Sequence, residues 1–317
     1  MFDTVHFHVG DGITDFTQLA KYLPNVKYKV DKYGNILFSN DFIDNLYIEL
    51  HNGWMICQNS LPKFLLGNNV ERINLQQVKE AIEKLSDMLH YDMSKTFVTR
   101  IDIADNFSMS ENVSKYFSCL GNLQRFKRCY TVIDETLTYK QGDKKCGKLI
   151  TFYDKRKELI EKGQYALFEQ MKIPKNFLRY ELRCYGRLAY QLKETAITGA
   201  TLYDTTFFRK LVQLWYDYYC RIVKQQEITF NNINLIKDNN EALYCALKAA
   251  FILQPAIFAD YIIEKFKSHN IFRSKSEYTR LKKGLYDILN DPLMTRDSKL
   301  IMELDSKVLQ TYNEMMG

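Results

Sequence analysis

Four short segments of this chain alternate apolar residues with acidic, basic and tyrosine residues. Since successive side chains of a β-strand point to opposite faces, each segment predicts a strand with one apolar and one polar face. The polar faces would carry Tyr47 and Glu49; Arg100 and Asp102, with Asn106 in phase; Thr151, Tyr153 and Lys155; and Arg179, Glu181 and Arg183.

Neighbouring strands of this kind would gather enough groups for phosphoryl-transfer chemistry. Two or three carboxylates, from Glu49, Asp102 and Glu181, bind Mg²⁺ or Mn²⁺ through oxygen. Such an ion polarises a phosphate, and a tyrosine beside it, such as Tyr153, can attack phosphorus covalently. Positive charge for the developing phosphorane would come from Lys155, Arg156, Arg179 and Arg183.

The same alternation also describes the solvated side of an ordinary sheet. For any one strand that is the simpler interpretation, and the coincidence of four strands weighs against it. Spacing alone does not show that the four strands are neighbours.

The elements that would position these groups change along the chain. Turn signals and β-branched or aromatic runs predict strands at 4–9, 27–30, 35–38, 45–51, 54–58, 97–103, 129–133, 136–140, 148–154 and 177–184. Helical spacing predicts helices at 75–91, where Asn74 and Gln77 resemble a capping box, and at 156–163, 207–222, 239–252, 255–268, 275–289 and 298–315. The predicted fold is α+β: an antiparallel sheet with helices on one face and the active site on the other, followed by a mostly helical C-terminal region. The predicted domains are 1–195 and 196–317.

Composition narrows the class of protein. The 317 residues are 46% hydrophobic and 26% charged, which is typical of a globular chain. Apolar runs fall short of the ~18 residues that a membrane span needs, and no secretory signal begins the chain, so no membrane partner is expected. Seven cysteines without a CxxC motif predict a reduced, cytoplasmic protein.

Positive charge is concentrated in one segment. Residues 121–190 hold 16 basic and 8 acidic residues, a net +8, whereas the whole chain is +6. With 22 tyrosines and 20 phenylalanines in the chain, this pattern suits a nucleic acid, because phosphates pair with cations and bases stack on rings. A solvated basic face without a partner is the alternative.

The sequence resembles the replication initiation proteins of rolling-circle plasmids of the Rep_trans type, and the related replication proteins of filamentous phages. The order and spacing of the matching segments agree over roughly residues 45–185. These segments are Ser60-Leu61-Pro62-Lys63-Phe64 with Gly67-Asn68-Asn69, Thr99-Arg100-Ile101-Asp102-Ile103-Ala104, Thr136-Leu137-Thr138-Tyr139, Leu149-Ile150-Thr151-Phe152-Tyr153-Asp154-Lys155 with Glu158, and Leu178-Arg179-Tyr180-Glu181-Leu182-Arg183.

The resemblance implies a site-specific DNA nickase in which Tyr153 is the nucleophile and Asp102 and Glu181 hold Mg²⁺ or Mn²⁺. Asn106 stands where the family often has a second aspartate, and Glu49 is added only from the strand faces. Lys155 and Arg179 complete the expected catalytic set. We expect DNA contacts from Arg100, Lys148, Arg156, Arg183 and Lys63.

The implied reaction is a transesterification that leaves a 5′-phosphotyrosyl link and a free 3′-OH, which primes synthesis. The implied partner is plasmid or phage origin DNA, single-stranded or extruded as a hairpin. A homodimer and a host helicase are further expectations, and residues 1–195 would be the nicking domain.

Alternatives stay open at this point. His6-Phe7-His8 spells a His-hydrophobic-His triplet that could hold metal, and Tyr139 and Tyr180 compete with Tyr153. A non-catalytic origin-binding repressor would need neither metal nor tyrosine. A metal-dependent nuclease that uses water would cut without a covalent intermediate.

Overall fold

Ten strands form one antiparallel sheet in the described part of the chain. The computed structural model describes residues 1–10, 26–30, 32, 36–43, 45–51, 54–131, 135–143, 145–224, 226–228, 257–290 and 295–317. The strands of this sheet are β1 Phe2–Val9, β2 Val26–Val30, β3 Ile36–Ile43, β4 Leu46–His51, β5 Trp54–Ser60, β6 Phe97–Ser108, β7 Lys127–Thr131, β8 Thr136–Gly142, β9 Gly147–Asp154 and β10 Phe177–Tyr185. Across the sheet they lie in the order β2-β3-β4-β5-β1-β6-β10-β9-β8-β7. Two further strands, β11 Gln226–Ile228 and β12 Thr295–Asp297, form a separate pair. The predicted helix 239–252 lies outside the described residues.

Six of the predicted helices are present among the described residues, and four short helices at 61–66, 113–119, 166–170 and 188–192 were not predicted. The helices are α1 Leu61–Leu66, α2 Leu75–Leu89, α3 Val113–Cys119, α4 Lys155–Glu161, α5 Ala166–Gln170, α6 Leu188–Leu192, α7 Thr205–Cys220, α8 Ile257–Ser268, α9 Lys275–Asn290 and α10 Lys299–Met316. The capping box is confirmed at the start of α2, where the side chains of Asn74 and Gln77 each accept a hydrogen bond from the other residue's backbone N–H.

One face of the sheet is the hydrophobic core. Phe152 of β9 stacks on Tyr180 of β10 at 4.6 Å, and Tyr180 stacks on Trp215 of α7 at 4.7 Å. Aromatic pairs of this kind add packing energy beyond the apolar area that they bury. The α+β class is confirmed, with helices packed against one face of an antiparallel sheet.

The core extends beyond residue 195. Trp215 of α7 and Ile301, Leu304 and Val308 of α10 belong to the same hydrophobic cluster as the strands. The division into 1–195 and 196–317 stays a prediction. No described helix is long and apolar enough to cross a membrane.

Candidate active site

The register of three central strands places the polar residues on the face opposite the core. Tyr153 of β9 pairs with Arg179 of β10, which pairs with Asn106 of β6. Arg183 likewise pairs with Asp102. Because directly paired residues of antiparallel strands point to the same side, these side chains share one face. Glu181, two residues from both arginines, shares it as well.

Four of these residues, Asp102, Tyr153, Glu181 and Arg183, border a cleft of about 280 Å³. The side chains of Asp102, Tyr153 and Glu181, predicted from the alternation, line it together. The remaining lining residues are Asp3, Thr4, Ser60, Lys63, Asn69, Thr151, Glu158, Lys162 and Arg183. The structure therefore brings the tyrosine, two carboxylates and several cations to one place.

Asp3 enters the cleft through an irregularity of β1. Phe2 pairs with Ile103 and Val5 with Ile101, so two residues, Asp3 and Thr4, oppose the single residue Asp102. This two-against-one count is that of a β-bulge, which re-aims side chains. Nothing in the local sequence indicates it, and Asp3 was not among the predicted site residues.

Buried Asp3 joins three segments of the chain. It accepts hydrogen bonds from Ser60 Oγ at 2.7 Å and Asn69 Nδ2 at 3.2 Å, and pairs with Arg179 Nη2 at 2.7 Å. Burial alone would raise the pKa of Asp3, but Arg179, these hydrogen bonds and Lys155 together hold it well below its ordinary value. Asp3 therefore fixes Arg179 under the cleft.

The hydroxyl group of Tyr153 forms no hydrogen bond with any residue that the structure describes. Removal from water raises the pKa of its phenol well above 10, Arg179 opposes that shift, and the carboxylates of Glu181, Glu158 and Asp3 add to it. The competing tyrosines differ: Tyr139 donates to Gly121 O at 2.6 Å and Tyr180 to Trp215 O at 2.8 Å, both in the core. Among the three, only Tyr153 presents its oxygen to a cleft.

Strand β9 ends at Asp154, the residue that follows Tyr153. Asp154 is the N-cap of α4, and its carboxylate accepts from the backbone N–H of Arg156 at 2.9 Å and Lys157 at 3.1 Å. Lys155 is consequently the first residue of the helix. The alternation had predicted it as a strand residue on the open face, and that prediction is wrong. The cap fixes where the strand that carries Tyr153 stops.

Lys155 is buried rather than exposed to the cleft. Its Nζ donates to Asn69 Oδ1 at 2.9 Å and to Glu158 Oε2 at 2.6 Å. Burial and Arg179 lower the pKa of Lys155 to about 8, against the attraction of Glu158. The predicted catalytic lysine therefore supports the wall of the cleft.

Arg179 and Asn106 also lie below the lining. Arg179 Nη1 donates to Asn69 O and to Asn106 Oδ1, each at 3.0 Å, while Asn106 Nδ2 donates to Val70 O at 2.9 Å. The oxygen that would make Asn106 a metal ligand is thus engaged by Arg179. The adjacent Asp105 faces the other side of the sheet, where it pairs with Arg72 at 2.6 Å.

Arginines contact both carboxylates that were predicted to bind metal. Arg183 Nε donates to Asp102 Oδ2 at 3.1 Å, and its Nη2 donates to Glu181 Oε1 at 3.2 Å. Arg100 also pairs with Asp102. Burial, with Asp102 and Asp3 nearby, raises the pKa of Glu181 to about 7, while Arg179 and Arg183 oppose the shift. Within the described ranges, no group of three or more His, Cys, Asp or Glu residues is arranged to hold a metal ion.

Comparison with known families identifies the chain. The family model named Phage_CRI, which describes the N-terminal part of a replication-associated protein, matches residues 48–213. The match spans just over half of the sequence and includes Asp102, Tyr153 and Glu181. The chain belongs to this family. The predicted kinship with phage replication proteins is confirmed.

Other comparisons add less. A structure titled "Structure of Rolling Circle Replication Initiator Protein from Geobacillus stearothermophilus" is 12% identical, with a TM-score of 0.38, and the match covers 76% of this chain and 89% of that one. No curated protein matches the chain in sequence. The family model is therefore the comparison that defines this replication-associated protein.

Several predicted residues of the replication-associated protein lie away from the cleft. Glu49 shares the open face but lies on β4, separated from β6 by β5 and β1, and accepts from Tyr47 Oη at 3.0 Å. Lys148 pairs with Cys184 and so points to the core face. Arg156 donates to Ile173 O at 3.1 Å and covers the Phe168 ring. Lys63 of α1, in contrast, lines the cleft.

The histidine triplet follows its strand geometry without forming a metal centre among the described residues. His6 and His8 lie on the open face, and His6 Nε2 lies 3.2 Å from Arg100 Nη1. Burial and the nearby Arg100 and Arg183 lower the pKa of His6 to about 3, which keeps the ring neutral. His8 stacks on Trp54 at 5.8 Å.

The residues that sequence reasoning missed fall into two groups. Asn69, Ser60 and Glu158 stand in segments that carried the family resemblance, but no role was predicted for them. Asp3 had no signal at all. The first group shows that a matching segment can mark a supporting hydrogen bond as well as a reacting group.

Proposed function

We propose that this replication-associated protein initiates rolling-circle replication by nicking one DNA strand at an origin. In the proposed step, the Tyr153 oxygen bonds to phosphorus and the bond from phosphorus to the 3′ oxygen breaks. The phenol proton is released to solvent, and the departing 3′ oxygen takes up a proton to become the 3′-OH. The products are a 5′-phosphotyrosyl link and a primer end.

One observation carries the proposal. The Tyr153 hydroxyl, without a hydrogen-bond partner among described residues, faces a cleft that it shares with Asp102 and Glu181. A nucleophile must be accessible and must stand beside groups that stabilise developing charge. Membership in a replication-associated family is in keeping with DNA as the substrate.

The surrounding residues have distinct proposed roles. Arg183, Lys63 and Lys162 line the cleft and would bind the phosphate that Tyr153 attacks. Arg179 favours the phenolate electrostatically from below, and Asp3 and Asn69 hold it there. Lys155 and Glu158 brace the start of α4 behind the tyrosine.

Asp102 and Glu181 are the residues that would hold Mg²⁺ or Mn²⁺. Carboxylate oxygens are the donors these ions prefer, and the two side chains border one cleft, so the donors fit in kind. Their present hydrogen bonds to Arg183 would have to yield to the ion. When bound, such an ion polarises the phosphate and stabilises the leaving oxygen.

The wider proposal includes the expected partners. The target is origin DNA in single-stranded or hairpin form, acted on in the cytoplasm. Residues 1–195 form the nicking domain, and the protein acts as a homodimer together with a host helicase.

A cleavage assay tests the proposal. Supercoiled DNA carrying the replicon's own origin, incubated with protein and Mg²⁺ or Mn²⁺, should yield nicked product with protein attached to its 5′ end. Peptide mapping should place the attachment at Tyr153. Tyr153→Phe should form no adduct, whereas Tyr139→Phe, which alters a buried core hydroxyl, should still form it.

Two other results would contradict the proposal. Cleavage without attached protein would indicate a nuclease that uses water. Binding without any cleavage, under every metal condition, would indicate a non-catalytic regulator.

A further inference from the structure

A second and larger cleft opens beside the first on the same face of the sheet. It has a volume of about 560 Å³ and shares Arg183 with the first cleft, which Tyr153 lines and which is called the tyrosine cleft below. Its lining consists of His6, Thr99, Arg100, Lys140, Lys145, Leu149, Arg183, Tyr185 and Gly186. No aspartate or glutamate belongs to this lining, although the first cleft contains four of them.

This second cleft, called the basic cleft below, holds more positive than negative charge. Arg100 and Arg183 share the carboxylate of Asp102, and Arg183 also contacts Glu181. Lys140 and Lys145 are exposed, and neither forms an ion pair with the residues that the structure describes. These two arginines and two lysines face three carboxylates, those of Asp102, Glu181 and Asp143, so the cleft keeps a positive excess, which favours an anionic ligand.

The wall that carries Lys145 is held in place by close backbone packing. A Cβ atom on Gly186, whose φ is +81°, would lie 2.1 Å from the backbone oxygen of Lys145. Only glycine permits this approach and this dihedral angle. The end of β10 and the residues joining β8 to β9 therefore lie in direct contact.

Hydrogen bonds complete that wall. Tyr185 Oη donates to Asp143 O at 2.6 Å, and the Asp143 carboxylate accepts from the backbone N–H of Lys145 at 2.7 Å and Cys146 at 2.9 Å. The carboxylate of Asp143 thus fixes the local backbone, and the Tyr185 ring is anchored at the edge of the cleft. A cleft assembled before binding loses less entropy when a ligand enters.

We propose that the basic cleft binds the single-stranded DNA adjoining the phosphodiester that Tyr153 attacks. Lys140 and Lys145 contact its phosphates, and Tyr185 offers a ring on which a base stacks. Arg183, common to both clefts, marks the point where the strand passes from one to the other. This inference rests on the proposed function, because it takes the substrate of the tyrosine cleft to be a DNA strand.

Binding of a fluorescein-labelled 15-mer of deoxythymidine, measured by anisotropy against KCl concentration, tests the inference. All proteins carry Tyr153→Phe and the buffer contains EDTA, so that cleavage plays no part. Lys140→Ala/Lys145→Ala should weaken binding about 10-fold, and the slope of log K against log salt should flatten by about 1.4, since each phosphate contact on a single strand contributes about 0.7.

The matched control removes two other exposed lysines. Lys79 of α2 and Lys115 of α3 line neither cleft. Lys79→Ala/Lys115→Ala should keep both the affinity and the salt slope, and thermal unfolding should confirm that both double variants are folded. Equal affinity and slope for the Lys140/Lys145 variant and its parent would overturn the inference.

Tyr185 gives a second readout. Tyr185→Ala should lower the affinity about 5- to 100-fold with an unchanged salt slope, because stacking involves no ion release. Tyr185→Phe keeps the ring but loses the hydrogen bond to Asp143 O, so it should weaken binding less than Tyr185→Ala does. Tyr185→Ala with full affinity would overturn the stacking role.

The inference and the proposed function can fail separately. If the Lys140/Lys145 variant loses binding and the unmodified protein forms no covalent adduct, the proposal that the basic cleft binds DNA stands and the proposed nicking reaction is wrong. If Tyr153 forms the adduct and the Lys140/Lys145 variant binds like its parent, the nicking reaction stands and the proposed role of the basic cleft is wrong.

Discussion

The two faces of the sheet use the same strands for opposite purposes. On the core face, Phe152 and Tyr180 stack at 4.6 Å, and Tyr180 Oη donates a hydrogen bond to the backbone oxygen of Trp215. On the open face, one residue along each strand, Tyr153 and Arg179 pair across the same two strands. The strand alternation alone separates a packed aromatic layer from a polar cleft.

This difference shows what a reactive position requires. Tyr180 is stable in the core because its oxygen is hydrogen-bonded, and its burial keeps that oxygen away from a substrate. The Tyr153 oxygen instead meets the cleft, where desolvation and carboxylates hold the pKa of its phenol well above the ordinary value. Gathering desolvated and like-charged groups on the open face costs free energy of folding, and the packing of the core face offsets that cost.

The largest expected contrast is between two hydroxyl deletions on neighbouring strands. Tyr153→Phe should lower DNA nicking by at least about 10³-fold, since it removes the nucleophile. Tyr180→Phe should leave nicking unchanged and cost about 1 kcal/mol of stability, because only a core hydrogen bond is lost. Adduct formation and urea unfolding of both variants measure the contrast. Equal nicking by the two variants would remove the distinction between the faces.

The next contrast concerns stability alone. Phe152 is fully buried between Tyr180 and Tyr139, so Phe152→Ala should cost about 3–5 kcal/mol. Thr151, its neighbour on the open face, is partly exposed, and Thr151→Ala should change the free energy of unfolding by less than about 1 kcal/mol. Denaturant unfolding would contradict this comparison by giving similar losses.

Much of this arrangement could be predicted because one face of each strand is buried. Alternation put Asp102, Tyr153 and Glu181 on a common face, and the family resemblance supplied their proposed roles. Lys148 was chosen for its charge, although the same alternation puts it in phase with the core residue Phe152.

Other features depend on long-range pairing. The position of Glu49 follows from the strand order, which places two strands between β4 and β6. Asp3 reaches the cleft only because β1 bulges against β6, a property of two strands that no local pattern contains. Register and strand order, rather than strand existence, therefore limited the prediction of the site.

Acid should destabilise the open face in a predictable window. Burial opposes ionisation of Glu158, but Lys155 and Lys162 outweigh it and lower its pKa from 4.5 to about 2. Because the folded-state pKa is depressed, Glu158 stabilises the fold above about pH 4.5, and this contribution is lost as the pH falls towards 2. Glu158→Gln should cost about 2 kcal/mol at pH 7 and less at pH 3.

Urea unfolding of parent and variant at pH 7, 5 and 3 measures this effect. Glu83→Gln, on the exposed surface of α2, provides the control and should follow the parent at every pH. A constant difference between Glu158→Gln and the parent across this range would contradict the assigned pairing with Lys155.

The smallest contrast is at the helix cap. Asp154→Ala should cost about 1 kcal/mol, because two backbone N–H groups lose their acceptor, whereas Asp154→Asn keeps an oxygen and should be nearly neutral. Thermal unfolding checks both. If Asn proved as costly as Ala, the charge of Asp154 rather than its capping oxygen would matter.

Three consecutive residues, Tyr153, Asp154 and Lys155, thus divide their work between a strand end, a cap and a buried brace. The position of the Tyr153 side chain depends on the first turn of α4, because a shift of β9 along β10 would also move the residues that begin this helix. A one-residue insertion after Phe152 would either turn the phenol towards Trp215 or detach Lys155 from Asn69. The direct succession of Tyr153, Asp154 and Lys155 therefore constrains the chain more tightly than the identity of Asp154 does.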